Sequence, residues 1–317
     1  MLHLRMITPP DRTEDVVRAV EETVGTAHLA VLTGAARIPR GDVVLCDVAR
    51  EAGDELIGRL QALGIGEDGS IAVEQTDLTL SKRADRAEEE APGEGADAVL
   101  WDQMTEATQE ESTLSVTYVA LLTIATMIAA CGVVLDNAIL IVGAMAVGPE
   151  FGPLAGFCTA LVRRTPQLVL RSLIALIGGF AAAMAVTVVF SLFMNGVGLF
   201  TRAQLEGPRP NTSFVFAPDW FSFVVAVLAG AAGTLSLTST KSGALIGVAI
   251  SVTTVPAAAN AAVALSYGDG GQTWGSASQL LLNMLGIVVA GTLTLLAQRY
   301  FWARRRTTPP VSRPGTG

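Results

Sequence analysis

The chain has 317 residues, 50% of them hydrophobic and 16% charged, with a formal net charge of −8. Residues 1–113 hold 10 Lys/Arg and 24 Asp/Glu, a net of −14, whereas residues 114–317 hold 11 and 5, a net of +6. This divides the chain into an acidic soluble half and a polytopic membrane half, and it argues against a nucleic-acid partner, which needs the opposite sign.

Leu2–Thr8 alternates in polarity and precedes Pro9-Pro10, the pattern of a strand and a stop. Asp11 and Thr13 are suited to cap a helix carrying Val16, Val17, Val20 and Val24 at helical spacing, closed by Gly25. No cleavable leader is expected, because Met1–Arg5 runs into this strand instead of a long apolar core. Strands follow at His28–Leu32 and Asp42–Val48, separated by a Gly/Pro turn region. An amphipathic helix covers Glu51–Leu63, and a fourth strand covers Ser70–Glu74. The order βαββαβ predicts a ferredoxin-like α+β domain over residues 1–78, a fold that does not by itself define a function. Packing or dimerisation and small-ligand regulation are equally compatible with it.

Residues 79–113 form an acidic linker and a helix. The stretch 81–98, rich in Glu, Ala, Arg and Gly, predicts a solvated linker with some helix, and Asp97–Thr113 predicts an amphipathic helix at the membrane surface. Cys46, Cys131 and Cys158 are scattered, with no disulfide or zinc spacing, and His3 and His28 alone do not make a histidine metal site. No cofactor is expected.

Six apolar segments, about 114–135, 138–162, 168–194, 219–238, 243–265 and 276–302, make residues 114–303 the membrane domain, with a basic, proline-bearing tail at 304–317. Each can cross a core of about 30 Å at about 1.5 Å per residue. Arg163, Arg164, Arg171, Lys241, Arg299, Arg304, Arg305 and Arg306 fall on one side if both termini are cytoplasmic in a multi-pass cell-membrane protein. The loop Asn195–Pro218 then lies outside.

Gly148-Pro149-Glu150-Phe151-Gly152-Pro153 interrupts the second segment, and Val255-Pro256 interrupts the fifth. Prolines remove backbone donors and glycines loosen the helix. Each interrupted segment is the middle of a three-span unit. An odd number of spans inverts the second unit, so a 3+3 inverted repeat with broken second and fifth helices is expected. Glu150 is the one acidic residue well inside a segment, and a carboxylate at that depth points to function. Gly148, Pro149, Ser251, Thr253, Thr254 and Asn260 could add carbonyl, hydroxyl or amide ligands for an ion or solute; whether a metal binds is left open. Desolvation disfavours a charged carboxylate, which suits proton coupling. Thr234, Ser236 and Thr238 bring further hydroxyls, which commonly bond to their own helix. Gly148, Gly152 and Gly156 recur every fourth residue, as do Ala229 and Gly233. Such faces fit an internal crossing or a homo-oligomer.

The string Asn137–Pro153, the following Arg163-Arg164 and the later Ser242–Pro256 resemble domain-of-unknown-function family 389 over roughly residues 110–265. The acidic N-terminal module is similar to that of members carrying one. Where the family has a Leu-Pro-Pro type of break, this chain has Val255-Pro256-Ala257. The resemblance implies a bacterial or archaeal integral membrane protein and brings no substrate. A secondary transporter or channel-like permease for a small solute or ion, with a regulatory cytoplasmic domain, is the first expectation. A membrane-anchored small-ligand sensor without transport is the alternative. An intramembrane enzyme is not expected, since HExxH, GxSxG and paired intramembrane aspartates are missing from the sequence.

Overall fold

The computed structural model describes residues 1–76, 78–93, 98–216, 220–239 and 253–305. It divides into two compact units, Met1–Asp102 with Arg299–Gly317, and Gln103–Gln298.

In the first unit β1 (Leu2–Thr8), α1 (Thr13–Glu21), β2 (Thr26–Arg37), β3 (Arg40–Val48), α2 (Arg50–Ala62) and β4 (Ser70–Gln75) follow one another, with a one-turn helix Ile65–Asp68 before β4. The sheet order is β2–β3–β1–β4, and every pair is antiparallel. Alternation along the strands sends Leu2, Leu4 and Met6 of β1 and Val44, Cys46 and Val48 of β3 to one face. There they meet Val16 and Val20 of α1 and Leu56 and Leu60 of α2. Burying each large aliphatic side chain contributes roughly 1.5–3 kcal/mol. Desolvation of Cys46 within this core pushes its thiol up to about 12.

Two local expectations change. The hairpin strands are longer than the apolar pattern implied, running to Arg37 and resuming at Arg40, with irregular register between Ala27 and Ala30 and between Leu32 and Ala36. Thr13 does not cap α1: it is the first helical residue, and its hydroxyl donates to Asp42 Oδ2 at 2.7 Å. Asp42 also accepts the Gly34 N–H at 2.7 Å.

The stretch expected as a solvated linker contains α3 (Lys82–Glu90). The Ser81 hydroxyl accepts from the N–H groups of Arg83 and Ala84, and Ala84 and Ala87 are buried. Both histidines converge on one carboxylate. His3 Nδ1 lies 2.7 Å from Asp47 Oδ1 and His28 Nδ1 lies 2.6 Å from Asp47 Oδ2, while His28 Nε2 lies 2.8 Å from Ser81 Oγ. Partial burial opposes ionisation of Asp47, but the hydrogen bonds to His28 and His3 outweigh it and hold the carboxyl below its usual range. The order Ser81–His28–Asp47 matches that of a nucleophilic triad, but capping α3 accounts for the placement of Ser81.

The second unit is helical. α4 (Trp101–Glu111) leads to α5 (Val116–Val134), α6 (Ala138–Val147), α7 (Phe151–Arg163), α8 (Pro166–Gly196), α9 (Trp220–Thr238), α10 (Thr254–Ser266) and α11 (Gly270–Arg305). Among the described residues four helices are long and apolar enough to cross a membrane: Val116–Val134, Pro166–Gly196, Trp220–Thr238 and Gly270–Phe301. α6 and α7, bent by 54° at their junction, make one more if the pair is counted as a single span. The described residues thus hold up to five spans where the sequence pattern implied six. The first part of the expected fifth segment, including Ser251, and the tail from residue 306 lie outside the described residues.

α10 occupies the centre. Thr254–Ala264 is buried on every side, and its alanines let α5, α6 and α8 close around it. Leu170, Ile177, Val189 and Phe193 of α8 are exposed, as a lipid-facing surface would require.

Candidate functional site

The break between α6 and α7 follows from local chemistry. Gly148 ends α6 in an extended conformation, Pro149 cannot donate to a continuing helix, and Glu150 is the N-cap of α7. Glu150 is only 3% exposed. Its Oε1 accepts a hydrogen bond from the Thr254 hydroxyl at 2.8 Å, whereas its Oε2 is buried with no hydrogen-bond partner among the described residues.

Thr254 is the first residue of α10, and Thr253 is its N-cap. Pro256 therefore falls in the first turn of α10, where a missing N–H leaves no intrahelical bond unmade. The start of α7 and the start of α10 thus meet at one carboxylate, and helix starts favour negative charge. A Cβ on Gly148 would overlap Glu150 Oε2 and lie 2.9 Å from Val255 Cγ2. Gly148 is small because the carboxylate occupies that space.

A cavity of about 450 Å³ opens beside the break, lined by Glu110, Glu111, Thr117, Tyr118, Gly148 and Pro149 among others. The Tyr118 hydroxyl is buried and also has no hydrogen-bond partner among the described residues. The cavity wall includes the residues on either side of Glu150, Gly148 and Pro149 before it and Phe151 and Gly152 after it, but not Glu150 itself.

The expected site residues separate into two groups. Gly148, Pro149, Glu150 and Thr254 come together at the break. Thr253 turns elsewhere: its hydroxyl accepts from Asn283 Nδ2 at 2.6 Å. Asn260 does not bond to Glu150; its Nδ2 donates to the Ser276 hydroxyl at 2.7 Å, and its Oδ1 accepts from Arg209 at 2.9 Å. Thr234 and Thr238 donate to carbonyls of their own helix, Gly230 and Thr234 respectively, the ordinary behaviour of such hydroxyls. The glycine faces are used internally. Gly152 abuts Glu111 and Gly156 abuts Ser112 and Ser172, and Ala229 and Gly233 are buried on α9.

Several buried polar residues were missed in the sequence. Gln272, Ser276, Gln279 and Asn283 follow one another at steps of four, three and four along α11, one helical face. Ser276, Gln279 and Asn283 are almost fully buried, and Gln279 Nε2 donates to Asn283 Oδ1 at 3.4 Å. That polar stripe inside an apolar segment was the available signal. Arg209 had none, since it lies in a loop. Among the described residues no group of three or more His, Cys, Asp or Glu side chains is placed to hold a metal ion.

Residues 145–289, which include the broken pair from Met145 onward and all of α10, match the family model described as "Domain of unknown function (DUF389)". Over those residues the chain is similar to that family. It is also 22% identical over 234 residues to an uncharacterised protein of Methanocaldococcus jannaschii, covering 74% of this chain and 69% of the relative. No solved structure matches significantly.

Proposed function

We propose that this protein is a permease for a small solute or ion, in which Glu150 binds a coupling proton or cation. One observation carries the reading: a buried carboxylate spends one oxygen on Thr254 and leaves the other without a partner among the described residues, where a broken helix meets the start of the central helix. Discontinuous helices with ionisable groups at their ends are a recurring design of secondary transporters, and a carboxylate buried among apolar helices marks an ion or proton path. The cavity lined by Gly148 and Pro149, the two residues before Glu150, is the proposed approach. A lipid bilayer is the proposed setting, with the termini on the cytoplasmic side.

Two experiments test this. In proteoliposomes, Glu150→Gln keeps the acceptor for Thr254 and removes the charge, so proton- or cation-driven flux should be lost while the protein stays folded. Unchanged flux in every gradient that drives the wild type rejects the role of Glu150. In a cysteine-free background, Ala146→Cys on the cavity wall should react with a water-soluble maleimide. Protection of that position throughout would favour the membrane-anchored sensor without transport.

A further inference from the structure

Arg209 lies in the loop between α8 and α9, yet its side chain is only 5% exposed. NH1 donates to Asn260 Oδ1 at 2.9 Å, and NH2 donates to Gln272 Oε1 at 2.6 Å. The guanidinium carbon sits 4.5 Å from the centre of the Phe216 ring. Nε is buried and has no hydrogen-bond partner among the described residues. Every partner among the described residues is therefore neutral.

The two nearby carboxylates that attract this cation are engaged elsewhere. Asp136 accepts from the Asn211 N–H at 3.1 Å, Asn211 Nδ2 at 2.9 Å and the Thr212 hydroxyl at 2.9 Å. Asp269 accepts the Gln272 N–H at 3.0 Å. The Asp136 contacts latch the loop, so the burial of Arg209 is built into the fold. A buried charge is costly unless it is paired, and a guanidinium presents planar donors that match carboxylate or phosphate oxygens.

We propose that Arg209, with Asn260 and Gln272 holding it in place, is a binding site for an oxyanion, a carboxylate or a phosphate, received on Nε. Combined with the permease reading, the anion is the charged end of the solute. That last step rests on the proposed function; the binding site does not.

The test is thermal unfolding of the full chain in dodecyl maltoside micelles, which carry no phosphate, with acetate or inorganic phosphate titrated against equal chloride. A saturable rise of about 5 °C at a hundredfold excess over Kd is expected for at least one oxyanion. Arg209→Lys keeps the charge but loses Nε and should lose the rise. Asn260→Asp places a carboxylate against NH1, so it should fold at least as stably as wild type and respond weakly. A parallel series with phosphatidylglycerol separates the sources: stabilisation by that lipid, lost in Arg209→Lys, assigns the site to a lipid headgroup phosphate. No response to either source overturns the proposal, as does an equal response in Arg209→Lys. Asp219 lies outside the described residues; a response that appears only in Asp219→Asn would make that residue the counter-ion and also overturn it. Lost flux in Glu150→Gln with an intact anion response would separate the two sites, and so would the converse.

Discussion

Gly148→Ala tests the geometry of the break directly. Gly148 has φ −66° and ψ 128°, which any residue adopts, so the backbone does not require glycine. The added methyl would overlap Glu150 Oε2 and press on Val255. Glu150 is tied to Thr254, and Val255 is fully buried. Overpacking of this kind costs about 1–3 kcal/mol. In a Glu150→Ala background Oε2 is gone and the methyl meets only the Val255 side chain. The cost of Gly148→Ala should then fall by more than half, a coupling of about 1–2 kcal/mol. Thermal unfolding of wild type, both single variants and the double variant in one detergent measures this, at roughly 2–4 °C per kcal/mol for a unit of this size. Additive costs within about 0.5 kcal/mol would mean that the carboxylate does not sit against Gly148, and the site geometry would be wrong.

Two other glycines should respond in opposite directions. A Cβ on Gly230 would lie 2.6 Å from the Ile287 carbonyl oxygen and 2.7 Å from its Cα. Backbone cannot swing aside, so Gly230→Ala should lower Tm despite a helix-propensity gain of about 1 kcal/mol. Gly143 has nothing within 4 Å of its Cβ position, so Gly143→Ala should raise Tm, and a fall would show that this face of α6 is occupied. In the first unit, the Gly34 N–H and the Thr13 hydroxyl hold the Asp42 carboxyl below its usual 3.8, against a smaller effect of burial. A lowered folded value means that the stabilisation is present above the unfolded value and is lost as pH falls through the folded one. Pepsin cleavage within β2 and β3, normalised to an unfolded substrate, should rise from pH 5 to pH 2 in wild type. In Asp42→Asn it should already be high at pH 5, and matching pH profiles would remove Asp42 from the account.

Much of the fold was legible because the signals were local. Alternation gave the strands of the acidic half, and helical spacing gave α1 and α2. Where the signal was ambiguous, tertiary contact decided. The hairpin strands extend past their apolar stretch because residues at Arg37 and Arg40 find ladder partners across the turn. The stretch expected as linker is helical because its alanines find a surface to pack on: Gly25, at φ +91°, leaves room beside Ala87 and Ala91.

The candidate site shows the same limit. Gly148-Pro149 announces a broken helix from covalent chemistry alone, and a carboxylate in an apolar stretch announces Glu150. That Thr254 and not Asn260 bonds to it depends on which residue of a helix 104 positions away faces the break. Ser, Thr and Asn look alike in sequence whether they bond to their own helix, a neighbour or a ligand.

The sequence by itself determined the acidic and apolar halves, the helix break and the one carboxylate within it, because propensity, charge and hydropathy act over neighbouring residues. Only the tertiary structure decided that α10 is central, that the glycine faces pack inward and that Arg209 is drawn from a loop into the helical unit. Each of those depends on surfaces far apart in the chain burying against one another, and no local pattern records which surfaces will meet.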